Sequence, residues 1–158
     1  MRPRSVVDDN VIKIRFLNQD GSLSITPLEI DLIPVIEVEV SQASSTGVRT
    51  FTALALVDTG ADHRVIDKSF AEECKFLSAG TTTSSGIGGF ARDINFYWLE
   101  YHVTTNGNKH NLSGNFVAPS LTETGRKYQL ILGMSFLKKG RLIMDFQADD
   151  YFFELDPT

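Results

Sequence analysis

The run Leu54-Ala55-Leu56-Val57-Asp58-Thr59-Gly60-Ala61 places a carboxyl directly after a continuous apolar segment, followed by a small hydroxyl residue and a glycine. A carboxylate at the end of a buried strand is costly to desolvate unless it is paired, hydrogen-bonded or made to share a proton. Gly60 lets the backbone turn tightly and bring its N–H to that carboxylate, and the Thr59 hydroxyl is able to bond backbone across a symmetric partner. Two other readings stand beside this one. Asp-x-Gly triplets are frequent at turns and helix starts, so Asp58 could simply begin a turn. Asp58, Asp62, His63 and Asp67 could also be metal ligands, but they lack the alternating-oxygen spacing of a calcium loop, and no paired Cys or His supports zinc. No metal and no other cofactor is expected.

The segments that must position Asp58 are mostly strands. Short runs rich in Val, Ile, Leu, Phe and Thr alternate with polar turns, which predicts strands over 11–17, 32–40, 50–57, 96–104, 112–117, 129–132, 141–146 and 151–154. The Ser-rich stretch Gln42 to Gly47 makes a hairpin of the second and third, and Asn106-Gly107-Asn108 is a tight-turn signal before the fifth. Only two places read as helical. Asp67 to Leu77 carries Phe70, Cys74 and Leu77 at i, i+4, i+7, with Ser69 and Glu72 in capping-box spacing, and Met134 to Lys139 is a shorter turn stopped by Gly140. Thr81 to Gly89 is small, polar and glycine-rich, which suits a mobile lid or a plain hairpin tip.

At 158 residues with a 42% apolar share, the chain is the size of one domain with one core. Residues 1–30 read as an N-terminal extension or extra strand, and 31–158 as the domain proper. Fifteen basic against twenty acidic residues give a formal charge of -5 without a basic cluster, so nucleic acid is not an expected partner. The single cysteine, Cys74, forms no internal disulfide and is read as packing on its helix; with no signal-like or membrane-length apolar run, a soluble, cytoplasmic or otherwise intracellular protein without a membrane span is expected. His102 and His110 carry no partner pattern and read as strand or surface residues.

Val57-Asp58-Thr59-Gly60-Ala61-Asp62 resembles the active-site motif of the retropepsins, the aspartic proteases of retroviruses, gypsy-type retrotransposons and related cellular and bacterial proteins. Gly86-Ile87-Gly88-Gly89-Phe90 resembles the glycine-rich tip of the retroviral flap, and Ile131-Leu132-Gly133-Met134-Ser135-Phe136-Leu137 the second-half motif before the short C-terminal helix. Three motifs in family order carry more than any one alone. The resemblance spans roughly residues 32 to 155 and implies an all-β, retropepsin-like closed barrel or sandwich with one or two short helices, one lobe per chain, active as a twofold dimer.

The same resemblance implies an aspartic-type endopeptidase acting on extended protein or peptide substrates. Its chemistry needs two carboxylates sharing a proton, and no second Asp-Thr-Gly or Asp-Ser-Gly exists in the chain. The second carboxylate is therefore expected from another copy, in a homodimer. Asp58, Thr59 and Gly60 are the implied catalytic residues. Ala61, Asp62 and His63 on one wall, with Gly86, Ile87, Gly88 and Gly89 from the flap, are the implied substrate-binding residues. Tyr151 to Leu155 would join a sheet shared between protomers or serve as a final core strand. Viral members place an arginine after the second-half glycine to pair with the position of Asp62; Met134 stands there, leaving Arg126, Arg92 or an N-terminal arginine as substitutes and pointing to a cellular, bacterial or retroelement protein. A domain of another class remains open: a non-catalytic retropepsin-like dimerisation or peptide-binding module.

Overall fold

Alternation of buried and half-exposed side chains organises the chain into strands, because each apolar segment has a core on at least one face. The computed structural model describes residues 10–28, 32–44, 47–86 and 89–156. Its strands are β1 (Val11–Lys13), β2 (Arg15–Leu17), β3 (Leu23–Ser24), β4 (Pro34–Ser44), β5 (Gly47–Val57), β6 (Arg64–Ile66), β7 (Gly80–Gly86), β8 (Gly89–Thr104), β9 (Lys109–Val117), β10 (Leu130–Leu132), β11 (Gly140–Asp145) and β12 (Asp150–Leu155). Two short helices, α1 (Lys68–Glu73) and α2 (Met134–Leu137), and a 3₁₀ turn at Thr122–Thr124 complete it.

The larger sheet runs β3-β2-β4-β5-β10-β6-β9-β8-β7, and an added β4–β8 pairing closes β4, β5, β10, β6, β9 and β8 into a ring. The all-β architecture with short helices expected from sequence is present. The β4–β5 hairpin holds the anticipated partners, from Val35 opposite Leu56 to Ser44 opposite Gly47. The turn before β9 closes with Thr105 N–H bonding the Asn108 carbonyl at 2.9 Å, and Gly107 takes φ +92°. Inside the ring, Val38, Ala53, Ala55, Leu99, Tyr101, Phe116, Leu130 and Leu132 are buried together.

A second, three-stranded sheet is ordered β1-β12-β11. Tyr151, Phe152, Phe153 and Leu155 of β12 are all buried, and both edges of β12 are paired within the chain, to β1 and β11. Within the chain this segment is a buried core strand. Phe153 meets Phe136 of α2 at 5.0 Å between ring centroids, which ties the small sheet to the helix behind the Asp58 loop. Among the described residues no helix is long and apolar enough to cross a membrane.

Several expectations need correction. The 11–17 segment is two strands, broken at Ile14, and β3 and β6 carried too few residues to be noticed. Helix α1 is shorter than 67–77, and Leu77 is 72% exposed outside it. Its cap is Asp67, which accepts the Phe70 N–H, and not the Ser69 and Glu72 box. Of the Thr81 to Gly89 stretch, read as a mobile lid or a plain hairpin tip, residues 81–86 belong to strand β7, paired antiparallel to β8. Ile87 and Gly88, read from sequence as part of the flap, lie outside the described residues.

Candidate active site

Strand β5 delivers Asp58. Its Ala53, Ala55 and Val57 are buried in the main core while Leu54 and Leu56 are half-buried on the opposite face, where a second cluster forms around Leu17, Val35, Leu121 and Tyr128. Asp58 follows directly on Val57, the last residue of β5. That explains the unbroken apolar run: both faces of β5 are packed until the carboxyl emerges, half-buried, at its end.

Backbone contacts hold the loop. Asp58 N–H bonds the Leu132 carbonyl at 3.2 Å, Ala61 N–H returns to the Asp58 carbonyl at 3.3 Å, and Gly60 N–H donates to Asp58 Oδ1 at 2.8 Å. A Cβ on Gly60 would stand 3.2 Å from the same oxygen, so glycine keeps the carboxylate face open. On the far side, Met134 N–H bonds the Ala61 carbonyl at 2.7 Å and Ser135 N–H bonds the Asp62 carbonyl at 3.0 Å. Gly133 is required by space: a Cβ there would collide with the Ala61 carbonyl. Strand β10 enters between β5 and β6, parallel to the first and antiparallel to the second, so the first-half and second-half motifs, over seventy residues apart, meet at one loop.

The remaining candidates fall around it. Thr59, Asp62 and His63 are exposed and Ala61 is half-buried beside Asp58. Gly86 and Gly89 face each other as a Cα pair at the end of the β7–β8 hairpin. Asp62 has no cationic partner among the described residues, and Arg126 bonds Thr124 Oγ1 at 2.6 Å instead. The sequence reading overlooked Arg64, whose Nη1 reaches Ser135 Oγ at 3.2 Å and whose guanidinium lies 5.9 Å from the Phe116 ring centroid. It thereby pins β6 to α2, next to Met134. Nothing local announces that contact, because Ser135 and Phe116 come from distant segments.

Asp67, weighed above as a metal ligand, is occupied otherwise. It is 1% exposed and accepts bonds from Phe70 N, Leu121 N, Thr122 N and Thr122 Oγ1 at 2.8–3.0 Å. Burial pushes its carboxyl up, but the bonds from Thr122, Leu121 and Phe70 outweigh that and hold it below the usual carboxylate range. Among the described residues no three His, Cys, Asp or Glu side chains gather as a metal site. Cys74 is buried, and burial first, then Glu73, pushes its thiol up to about 11, which makes it a packing residue rather than a nucleophile.

The crystal structure of a retropepsin-like aspartic protease from Rickettsia conorii aligns with 19% identity and a TM-score of 0.49, covering 92% of this chain and 90% of that one. No curated protein matches the sequence. The family model of the retroviral aspartyl protease, by contrast, matches residues 31–144, which include the Asp58 loop, the β7–β8 hairpin, β10 and α2. On that match the chain belongs to the retroviral aspartyl protease family.

Proposed function

We propose that this chain is an aspartic endopeptidase that works as a homodimer, with Asp58 from each copy forming one catalytic pair. The observation that carries the reading is the Asp58 loop itself: a half-buried carboxyl at the end of a doubly packed strand, oriented by backbone bonds to Gly60 and Leu132, in a family whose chemistry is peptide hydrolysis. Two carboxylates about 3 Å apart cannot both ionise, so one is protonated and one is not. The ionised Asp58 takes a proton from a water whose oxygen attacks the scissile carbonyl carbon, while the protonated Asp58 donates to the carbonyl oxygen. The tetrahedral intermediate then collapses as a proton passes to the leaving nitrogen, and no covalent enzyme intermediate forms.

In this reading the Thr59 hydroxyl bonds across the twofold axis and Gly60 orients the acid. Asp62 and Ala61 bind substrate main chain, His63 stands further along the same wall, and the hairpin with Gly86, Ile87, Gly88 and Gly89 covers an extended peptide. Residues 31–158 form the protease domain, and residues 1–30 are an N-terminal extension or extra strands added to it. The substrates are proteins or peptides, neither nucleic acid nor cofactor takes part, and the site of action is the soluble interior of a cell.

Cleavage of an unbiased peptide mixture by wild type and Asp58→Asn, side by side across a pH series, tests this. Cleavage by wild type alone, strongest at mildly to moderately acidic pH where single protonation is best populated, is the expected result. Equal cleavage by both proteins, or a steady rise through alkaline pH, would sink it.

A further inference from the structure

Leu56, near the end of β5 and two residues before Asp58, faces an open cavity of about 660 Å³. It forms part of the wall together with Leu17, Ile33 and Tyr128. At about 3.3 Å of rise per residue, that wall begins roughly 7 Å from the Asp58 Cα. A side chain of an extended peptide held across Asp58 therefore has this cavity within reach.

Among the described residues its charged lining has one sign. Arg126 and Lys127 line it, and no Asp or Glu does so among the described residues. The two cations differ in their engagements. Lys127 helps hold Asp20 below the usual carboxylate range, although the bonds to Ser22 do most of that. Arg126 has no carboxylate partner among the described residues; its Nη1 donates to Thr124 Oγ1 at 2.6 Å, which directs the guanidinium without neutralising it. An unneutralised, oriented guanidinium above an apolar wall matches a side chain with an aliphatic stem and a carboxylate end.

We infer that this cavity is a specificity pocket for an acidic side chain of the peptide substrate, glutamate above aspartate, with Arg126 as the residue that selects it. The inference rests on Asp58 marking the peptide channel, as proposed above. Lys127 reinforces the field at the rim, and Leu17, Ile33, Leu56 and Tyr128 take up the methylene stem.

A binding measurement separates this from the catalytic claim. An unbiased peptide array is probed with the Asp58→Asn protein and with Asp58→Asn carrying Arg126→Glu, and the array is then exposed to active wild type and to Arg126→Glu. Peptides retained by the first protein should be enriched in glutamate at one fixed position, by about tenfold over glutamine, as a hydrogen bond to a charged group allows. With Arg126→Glu that preference should reverse to lysine or arginine. Absence of acidic enrichment, or enrichment that Arg126→Glu leaves in place, overturns the pocket. Acidic enrichment that follows Arg126 without any cleavage by wild type keeps the pocket and sinks the protease. Cleavage with one preference in both Arg126 forms does the opposite.

Discussion

Asp58 and Asp67 stand nine residues apart, one leaving β5 and the other leaving β6, and the structure treats them in opposite ways. Asp67 is sealed in the protein with four donors on its two oxygens, so its charge is spent on joining α1 to the Leu121–Thr122 turn. Asp58 keeps one bond, from Gly60, and a half-exposed face. A saturated carboxylate stabilises a fold, whereas an unsaturated one held by backbone is free to handle protons. The difference is one of partners, not of residue type, and it separates a structural acid at the end of β6 from the acid proposed for chemistry at the end of β5.

The comparison breaks first at Asp58. Asp58→Asn should lower peptidase activity by about 10²- to 10⁴-fold and move stability by no more than about 0.5 kcal/mol. Parallel assays of cleavage and of urea unfolding read both numbers, and a large loss of stability would make Asp58 another Asp67. Asp67→Ala should show the reverse emphasis. Losing the helix cap and stranding the Leu121 and Thr122 N–H groups should cost about 3 kcal/mol, seen as a Tm lower by roughly 6 to 12 °C. A Tm within a degree of wild type would contradict the assigned role.

Gly133→Ala lies between them, because it strikes the Ala61 carbonyl and so the frame of the Asp58 loop. It should cost about 2 kcal/mol and also reduce cleavage at temperatures where the variant is fully folded; full activity there would show that the loop tolerates displacement. The smallest effect concerns pH. Because the folded Asp67 has its pKa lowered from 3.8, its contribution is complete above that value and is lost as pH falls through the folded one. The stability gap between wild type and Asp67→Asn should therefore hold from neutral pH to about pH 4 and shrink below it. A gap unchanged down to pH 2.5 would place the stabilisation elsewhere. A mildly acidic pH thus leaves the Asp67 joint intact.

What was legible in the sequence follows from range. Strands β4, β5, β8, β9, β11 and β12 were visible because each has a long apolar or alternating run, and the β4–β5 hairpin because its turn is local. Asp58, Gly60 and Gly133 were visible because each sits in a short contiguous motif, where an acid or a glycine beside an apolar strand is conspicuous. The three-residue β6 was not, since it is defined by its pairing with β10 and β9 rather than by its own pattern. The Asp67 cap obeys the helix-start rule, but the Ser69 and Glu72 spacing two residues later imitates a capping box and competes with it. The Arg64 contact with Ser135 and the unpaired rim at Arg126 depend on tertiary placement, and no local signal encodes them.

The central claim is that each site takes one Asp58 from each of two copies, and mixing tests it most directly. Wild type and Asp58→Asn are combined at constant total protein, allowed to exchange, and assayed on one cleaved peptide. Activity should fall as the square of the wild-type fraction, because only dimers with two intact Asp58 residues turn over. A fall in direct proportion to that fraction would contradict the account, since it would mean that one chain holds a complete site.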